Sequence, residues 1–265
     1  MNPNKLHWQV IILILVVVFL AGCSGSARYG EQPVGPATEI AIEMSPVPSP
    51  VASNTSSPVS QKDFLAEFSF PTEIEPSSRY MFYIHGKIIE DQGIPAISPE
   101  FGEYRYEDIL RTLQSFGFVI ISEQRPKNAN SMEYAQRTVA QVHKLLSSGV
   151  PPESITVVGA SKGGAITMII SHLLKNSELN YVLLGSCDSP TVNDLVQQSA
   201  PLFGNVLAIH DSSDVYADSC DDLFAFSEGK GIGHHDELVL HVGTGHGILY
   251  KPLLEWVLPT VQWAN

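Results

Sequence analysis

The stretch SITVVGASKGGAI, residues 154–166, joins a short apolar run to a Gly-Ala-Ser-Lys-Gly turn and the start of a helix. An unbroken apolar run of this kind suits a strand buried on both faces, as in a parallel sheet. Gly159 and Gly163 flank Ser161 two residues away on either side. Lacking Cβ atoms, they let a strand reverse sharply into a helix, which leaves the serine hydroxyl at the apex above the sheet. The helix N-terminus then aims its N–H groups at that point, where they can stabilise an oxyanion.

The surrounding chain repeats the pattern. Apolar runs at 80–85, 118–122, 155–158, 181–185, 206–210 and 238–242 are separated by helix-length segments, the alternation of a parallel sheet covered by helices. Ala135, Val139, Val142 and Leu146 recur at helical spacing, as do Ile109, Leu110 and Leu113, and Gly149 and Gly117 close these two helices. AEFSFPTEIE, residues 66–75, reads as an additional hairpin or edge strand, and residues 87–103 as a long irregular loop. The expected class is α/β, a mostly parallel sheet with helices on both faces.

Placed between a strand and a helix, the G-x-S-x-G motif at 159–163 resembles the nucleophile elbow of the α/β-hydrolase family, and the resemblance extends over about residues 66–265. It implies a three-layer sandwich and a triad in the order Ser, acid, His, each just past a strand. By that match Ser161 is the nucleophile and His246, in the loop GTGHG at 243–247, is the base. Asp214 is the acid, with Asp188 and Asp218 as alternatives, although Asp211 stands where the family usually has glycine. The resemblance also implies an oxyanion hole from the N–H groups of Lys87 and Lys162, with His85, Gly86 and Ile88 beside the substrate and His85 bracing its loop. Only about 20 residues separate the 181–185 and 206–210 runs, where lids of this family enter, so no large cap domain is expected. The site should be open, with walls from residues 87–103, 188–201 and 216–235. The implied activity is a serine hydrolase that cleaves carboxylic esters or thioesters through an acyl-enzyme. Alternatives are an acyltransferase using the same acyl-enzyme, or a binding protein on an inactive scaffold.

Length and composition agree with one sizeable domain plus further segments, at 265 residues, 44% hydrophobic and 16% charged. A formal charge of −13 with no Lys/Arg cluster excludes a nucleic-acid partner, because phosphate contacts need grouped cations. Near the N-terminus Lys5 precedes an apolar run that ends in Leu20-Ala21-Gly22-Cys23. The run is shorter than the ~20 residues of a membrane span and has the form of a secretory signal. Its last four residues resemble a bacterial lipobox, which implies a signal peptide at 1–22 and lipidation of Cys23. Residues 23–62, rich in Pro, Ser and Thr, read as a tether with a reach of roughly 35 Å. The domain at 63–265 would be exported and held at a bacterial membrane as a monomer, acting on a small-molecule or lipid ester without cofactor or metal. Export would permit a Cys187–Cys220 disulfide, with two free thiols as the alternative. His234, His235, Asp236 and His241 read as loop and strand residues rather than metal ligands. The Lys162 side chain is expected to pair with a nearby acid or to attract an anionic substrate group.

Overall fold

The computed structural model describes residues 60–265. The expected signal peptide, Cys23 and nearly all of the tether lie outside the described residues. Ser60 accepts the Asp63 N–H at 3.2 Å and caps helix α1, Gln61–Glu67, so this helix runs across the boundary expected at 62/63. Strand β1, Arg79–Ile84, leads into α2, Lys87–Gln92, and a hairpin of β2, Ala96–Ser98, and β3, Gly102–Tyr104. Helix α3, Tyr106–Ser115, β4, Phe118–Ile121, and α4, Ser131–Ser147, follow. The elbow is formed by β5, Ile155–Ala160, and α5, Lys162–Leu174. Beyond it come β6, Asn180–Leu184, α6, Ser189–Gln197, and β7, Gly204–Asp211. Helix α7, Asp221–Ser227, β8, Ile232–Leu240, and α8, Leu254–Trp263, complete the domain.

The main sheet has the order β4-β1-β5-β6-β7-β8 and every pairing in it is parallel. The chain steps outward from β1 to β4, then crosses back to lay β5 on the other side of β1. In open α/β sheets this reversal leaves a crevice at the carboxyl ends of the two central strands. Alternate strand residues enter two cores. Met81, Tyr83, Val158 and Val182 pack with Phe64 of α1, Ile109 of α3 and Trp256 of α8. Tyr80, Phe82, Val157 and Tyr181 pack with Val142 of α4, Ile166 and Ile170 of α5 and Leu223 of α7. Helices therefore cover both faces, and the architecture is the three-layer α/β sandwich with a parallel sheet that the sequence implies. Only α6 lies between β6 and β7, so no cap domain enters there.

Two local expectations are corrected. Residues 66–75 form no strand: α1 ends at Glu67 and the rest is turn, bend and irregular chain. Phe64 and Phe68 lie one helical turn apart, pack edge to face at 5.1 Å and are both buried, so Phe68 is spent on a helix end rather than on a strand. Residues 87–103 are not an irregular loop but helix α2 and the β2–β3 hairpin, in which Ala96 pairs with Tyr104.

Candidate active site

The elbow forms because nothing larger than glycine fits on either side of Ser161. A Cβ on Gly163 would stand 1.9 Å from the Ile84 carbonyl oxygen, and one on Gly159 would stand 2.4 Å from that of Gly163. Strand β5 and helix α5 are thereby pressed against β1. Ser161 pays in backbone strain, at φ 52° and ψ −123°, a conformation that costs a non-glycine residue about 1–3 kcal/mol and persists only where the surroundings enforce it. Its N–H donates to the Leu184 carbonyl at 2.8 Å, which ties the apex to the end of β6.

Three residues far apart in sequence meet at this apex. His246 Nε2 lies 3.0 Å from Ser161 Oγ, and His246 Nδ1 lies 2.8 Å from Asp214 Oδ2. A proton on Nδ1, donated to the carboxylate, leaves Nε2 free to accept from the serine hydroxyl. The Asp214 side chain is fully enclosed, and its other oxygen accepts the Tyr216 N–H at 2.8 Å. The alternatives are engaged elsewhere: Asp188 caps α6 through the Thr191 N–H at 3.0 Å, and Asp218 accepts the Ser219 N–H at 2.9 Å.

Asp211, the departure from the family pattern, holds the two loops that carry Asp214 and His246. Its Oδ1 accepts the Ser213 N–H at 2.9 Å and the Ser213 hydroxyl at 2.5 Å; its Oδ2 accepts the N–H groups of Val242 at 2.8 Å and Gly243 at 3.0 Å. Ser213 Oγ in turn accepts the Gly245 N–H, next to His246, at 3.1 Å. Burial pushes the Asp211 carboxyl up, but these four donors outweigh it and lower it to about 2. A glycine there could not join the loops in this way. Sequence pattern marks Asp211 as an exception without disclosing its four partners.

Lys87 and Lys162 are the first residues of α2 and α5, and the leading N–H groups of a helix have no partner within it. Both helices open at the crevice beside Ser161, where Gly86, Lys87 and Ile88 line the pocket. His85 does not: it is fully buried, so the expectation that it touches substrate is corrected. Its Nδ1 lies 2.8 Å from the Gly86 carbonyl oxygen and its Nε2 accepts the Arg125 N–H at 2.9 Å, which fixes one neutral tautomer. Burial, reinforced by the Arg125 charge, lowers it to about 3. His85 braces the loop. The Lys162 ammonium pairs with Glu90 at 2.6 Å, the first of its two expected roles.

The pocket over Ser161 measures about 250 Å³ and is walled largely by Ile88, Phe101, Tyr104, Tyr216, Leu249 and Tyr250. Phe101 contacts Tyr216, His246 and Tyr250 with ring centroids 5.2–6.3 Å apart. Of the expected walls, residues 87–103 contribute three residues, Lys87, Ile88 and Phe101, 216–235 contributes Tyr216 alone, and 188–201 contributes nothing. Phe101 and Tyr104 come from the hairpin, and Leu249 and Tyr250 follow His246; nothing in their own sequence pattern singled them out. A second cavity of about 310 Å³, lined in part by Phe70, Phe82, Ile121 and Ile166, includes no triad residue.

Cys187 and Cys220 are joined in a disulfide with Cα atoms 5.3 Å apart, which anchors the chain that leaves the acid loop. Among the described residues, no three His, Cys, Asp or Glu side chains are grouped as a metal would require. His234 stacks on Trp263 at 5.0 Å, and His241 lies 2.8 Å from Ser212 Oγ. No described helix is long and apolar enough to cross a membrane.

No model of a protein family and no curated protein matches the chain. Solved structures of similar fold include SOBER1 of Arabidopsis thaliana, at 12% identity over 71% of this chain and 98% of that one, with a TM-score of 0.49. An esterase/lipase from an uncultured bacterium and EstE5 soaked with p-nitrophenyl butyrate are each 12% identical, over 71% of this chain and 75% of theirs, with TM-scores of 0.45 and 0.47. Likeness at this level concerns the fold alone. What the site can do follows from its own geometry.

Proposed function

We propose that the protein is a serine hydrolase that cleaves carboxylic ester bonds, with Ser161 as nucleophile, His246 as general base and acid, and Asp214 as the group that orients the imidazole. One observation carries this reading: the unbroken chain from Asp214 Oδ2 through His246 to Ser161 Oγ, with links of 2.8 and 3.0 Å, at a strained elbow that opens into a pocket. As Ser161 Oγ attacks the ester carbonyl, its proton passes to His246 Nε2 and the imidazolium is stabilised by Asp214. The oxyanion is received by the N–H groups of Lys87 and Lys162, each worth roughly 3 kcal/mol in the transition state. Collapse expels the alcohol, which takes the proton from Nε2. Water then attacks the acyl-enzyme by the same path and releases the acid and the free serine.

An apolar, largely aromatic pocket of about 250 Å³ suits a compact uncharged group on the ester better than a long charged one. The sequence supports secretion and a lipid anchor at Cys23, which would place this activity at a bacterial membrane. The test is turnover of p-nitrophenyl esters of graded acyl length by the wild type and by Ser161→Ala. Activity on the shorter esters that falls at least about 10³-fold in the variant supports the reading. Wild-type-like turnover by Ser161→Ala refutes it.

A further inference from the structure

We infer that the half-buried Glu90–Lys162 ion pair is a positioning device that fixes the two candidate oxyanion donors relative to each other. The inference rests on the serine-hydrolase reading of the site. The β1–β5 ladder ends with Ile84 opposite Gly159, so no sheet hydrogen bond spans the gap between Lys87 and Lys162 just beyond. The packing of Gly163 on the Ile84 carbonyl brings the two segments together, and a side-chain tie between them holds the donors in place before charge develops, as an oxyanion hole requires.

Glu90 lies on α2, three residues after Lys87, and Lys162 opens α5 immediately after Ser161. The Glu90 side chain is wholly buried. Its Oε1 accepts from Lys162 Nζ at 2.6 Å and from the Ala129 N–H at 3.1 Å; its Oε2 accepts from Arg125 Nε at 3.3 Å. Arg125 reaches back to the entry of α2, donating from Nη2 to the His85 carbonyl. Lys162 Nζ donates a second bond, to the Ala129 carbonyl at 3.1 Å. Each partner is unfavourably placed alone. A buried carboxylate is costly unless paired, and an ammonium in the first turn of a helix opposes the helix dipole. Together they tie the two helices that carry the donors, and with His85 neutral the cluster holds two cations against one carboxylate, an excess that also favours an oxyanion.

The test compares full-length wild type, Lys162→Met and Lys162→Arg on an ester that the wild type hydrolyses through Ser161, with affinity for a trifluoromethyl ketone, whose hemiketal adduct carries the oxyanion, as second readout. Lys162→Met removes a partly exposed ammonium and keeps the backbone N–H. The expected result is kcat reduced about tenfold at a KM within about twofold, ketone affinity weakened by the same factor, and substantial recovery in Lys162→Arg. Lys162→Met with kcat and ketone affinity within about twofold of wild type overturns the positioning role, even if its melting temperature falls. So does a loss that Lys162→Arg does not recover, and a methionine variant that does not fold assigns the pair to the fold and overturns the role as well. Wild type without Ser161-dependent turnover is a different failure, that of the hydrolase reading.

Discussion

Asparagine at position 211 should cost stability in a pH-dependent way. The Asp211 carboxylate is fully buried and accepts four hydrogen bonds, two from its own loop and two from the loop of His246. An asparagine oxygen can serve one pair of donors, while its NH2 group must face the other pair. Folding lowers the carboxyl from 3.8 to about 2, which at 1.36 kcal/mol per unit corresponds to roughly 2 kcal/mol of stability. A depressed carboxylate stabilises fully above its unfolded value and loses that contribution as pH falls toward the folded one. Asp211→Asn should therefore melt roughly 4–8 °C below wild type at pH 7, from about 2–4 °C per kcal/mol in a domain of this size, with the gap narrowing between about pH 4 and pH 2. Thermal unfolding followed by circular dichroism at several pH values measures it. An equal melting temperature at pH 7, or a gap that persists unchanged in acid, would refute the anchoring role of Asp211.

Three further outcomes follow from the same structure. Replacing Cys187 and Cys220 by serine opens a loop of 33-residue separation and should lower stability by roughly 3 kcal/mol in urea unfolding, an effect that reductant reproduces in the wild type. Gly163→Ala should yield little soluble protein, because a Cβ 1.9 Å from a backbone oxygen can be relieved only by separating α5 from β1; solubility after expression reads this. Tyr216 is 55% exposed at the mouth of the pocket, so Tyr216→Ala should raise relative kcat/KM for bulkier esters by a few-fold and leave the melting temperature within about 2 °C.

Five of the six main strands were legible because they are buried on both faces and so are nearly continuous apolar runs. Their ends were less so. Strand β8 begins at Ile232, six residues before its apolar run, because the edge of the sheet exposes Gly233, His234 and Asp236 to solvent. The linked group of Ser161, Asp214 and His246 was legible from three residue types placed after three strands. Residues 87–103 misread as a loop because α2 has six residues and each hairpin strand three, too few for any period to register. Glu90 was invisible for another reason: its partners lie 35, 39 and 72 residues away, and no local pattern encodes a contact made only by the fold.

The most direct measurement is covalent: treatment with a fluorophosphonate followed by peptide mass mapping, in the wild type and in His246→Ala. The expected result is a single adduct on Ser161, formed at least about 10²-fold more slowly in the variant, because the imidazole accepts the serine proton in the attack. No adduct on Ser161, or a rate indifferent to His246, would contradict the proposed chemistry at its centre.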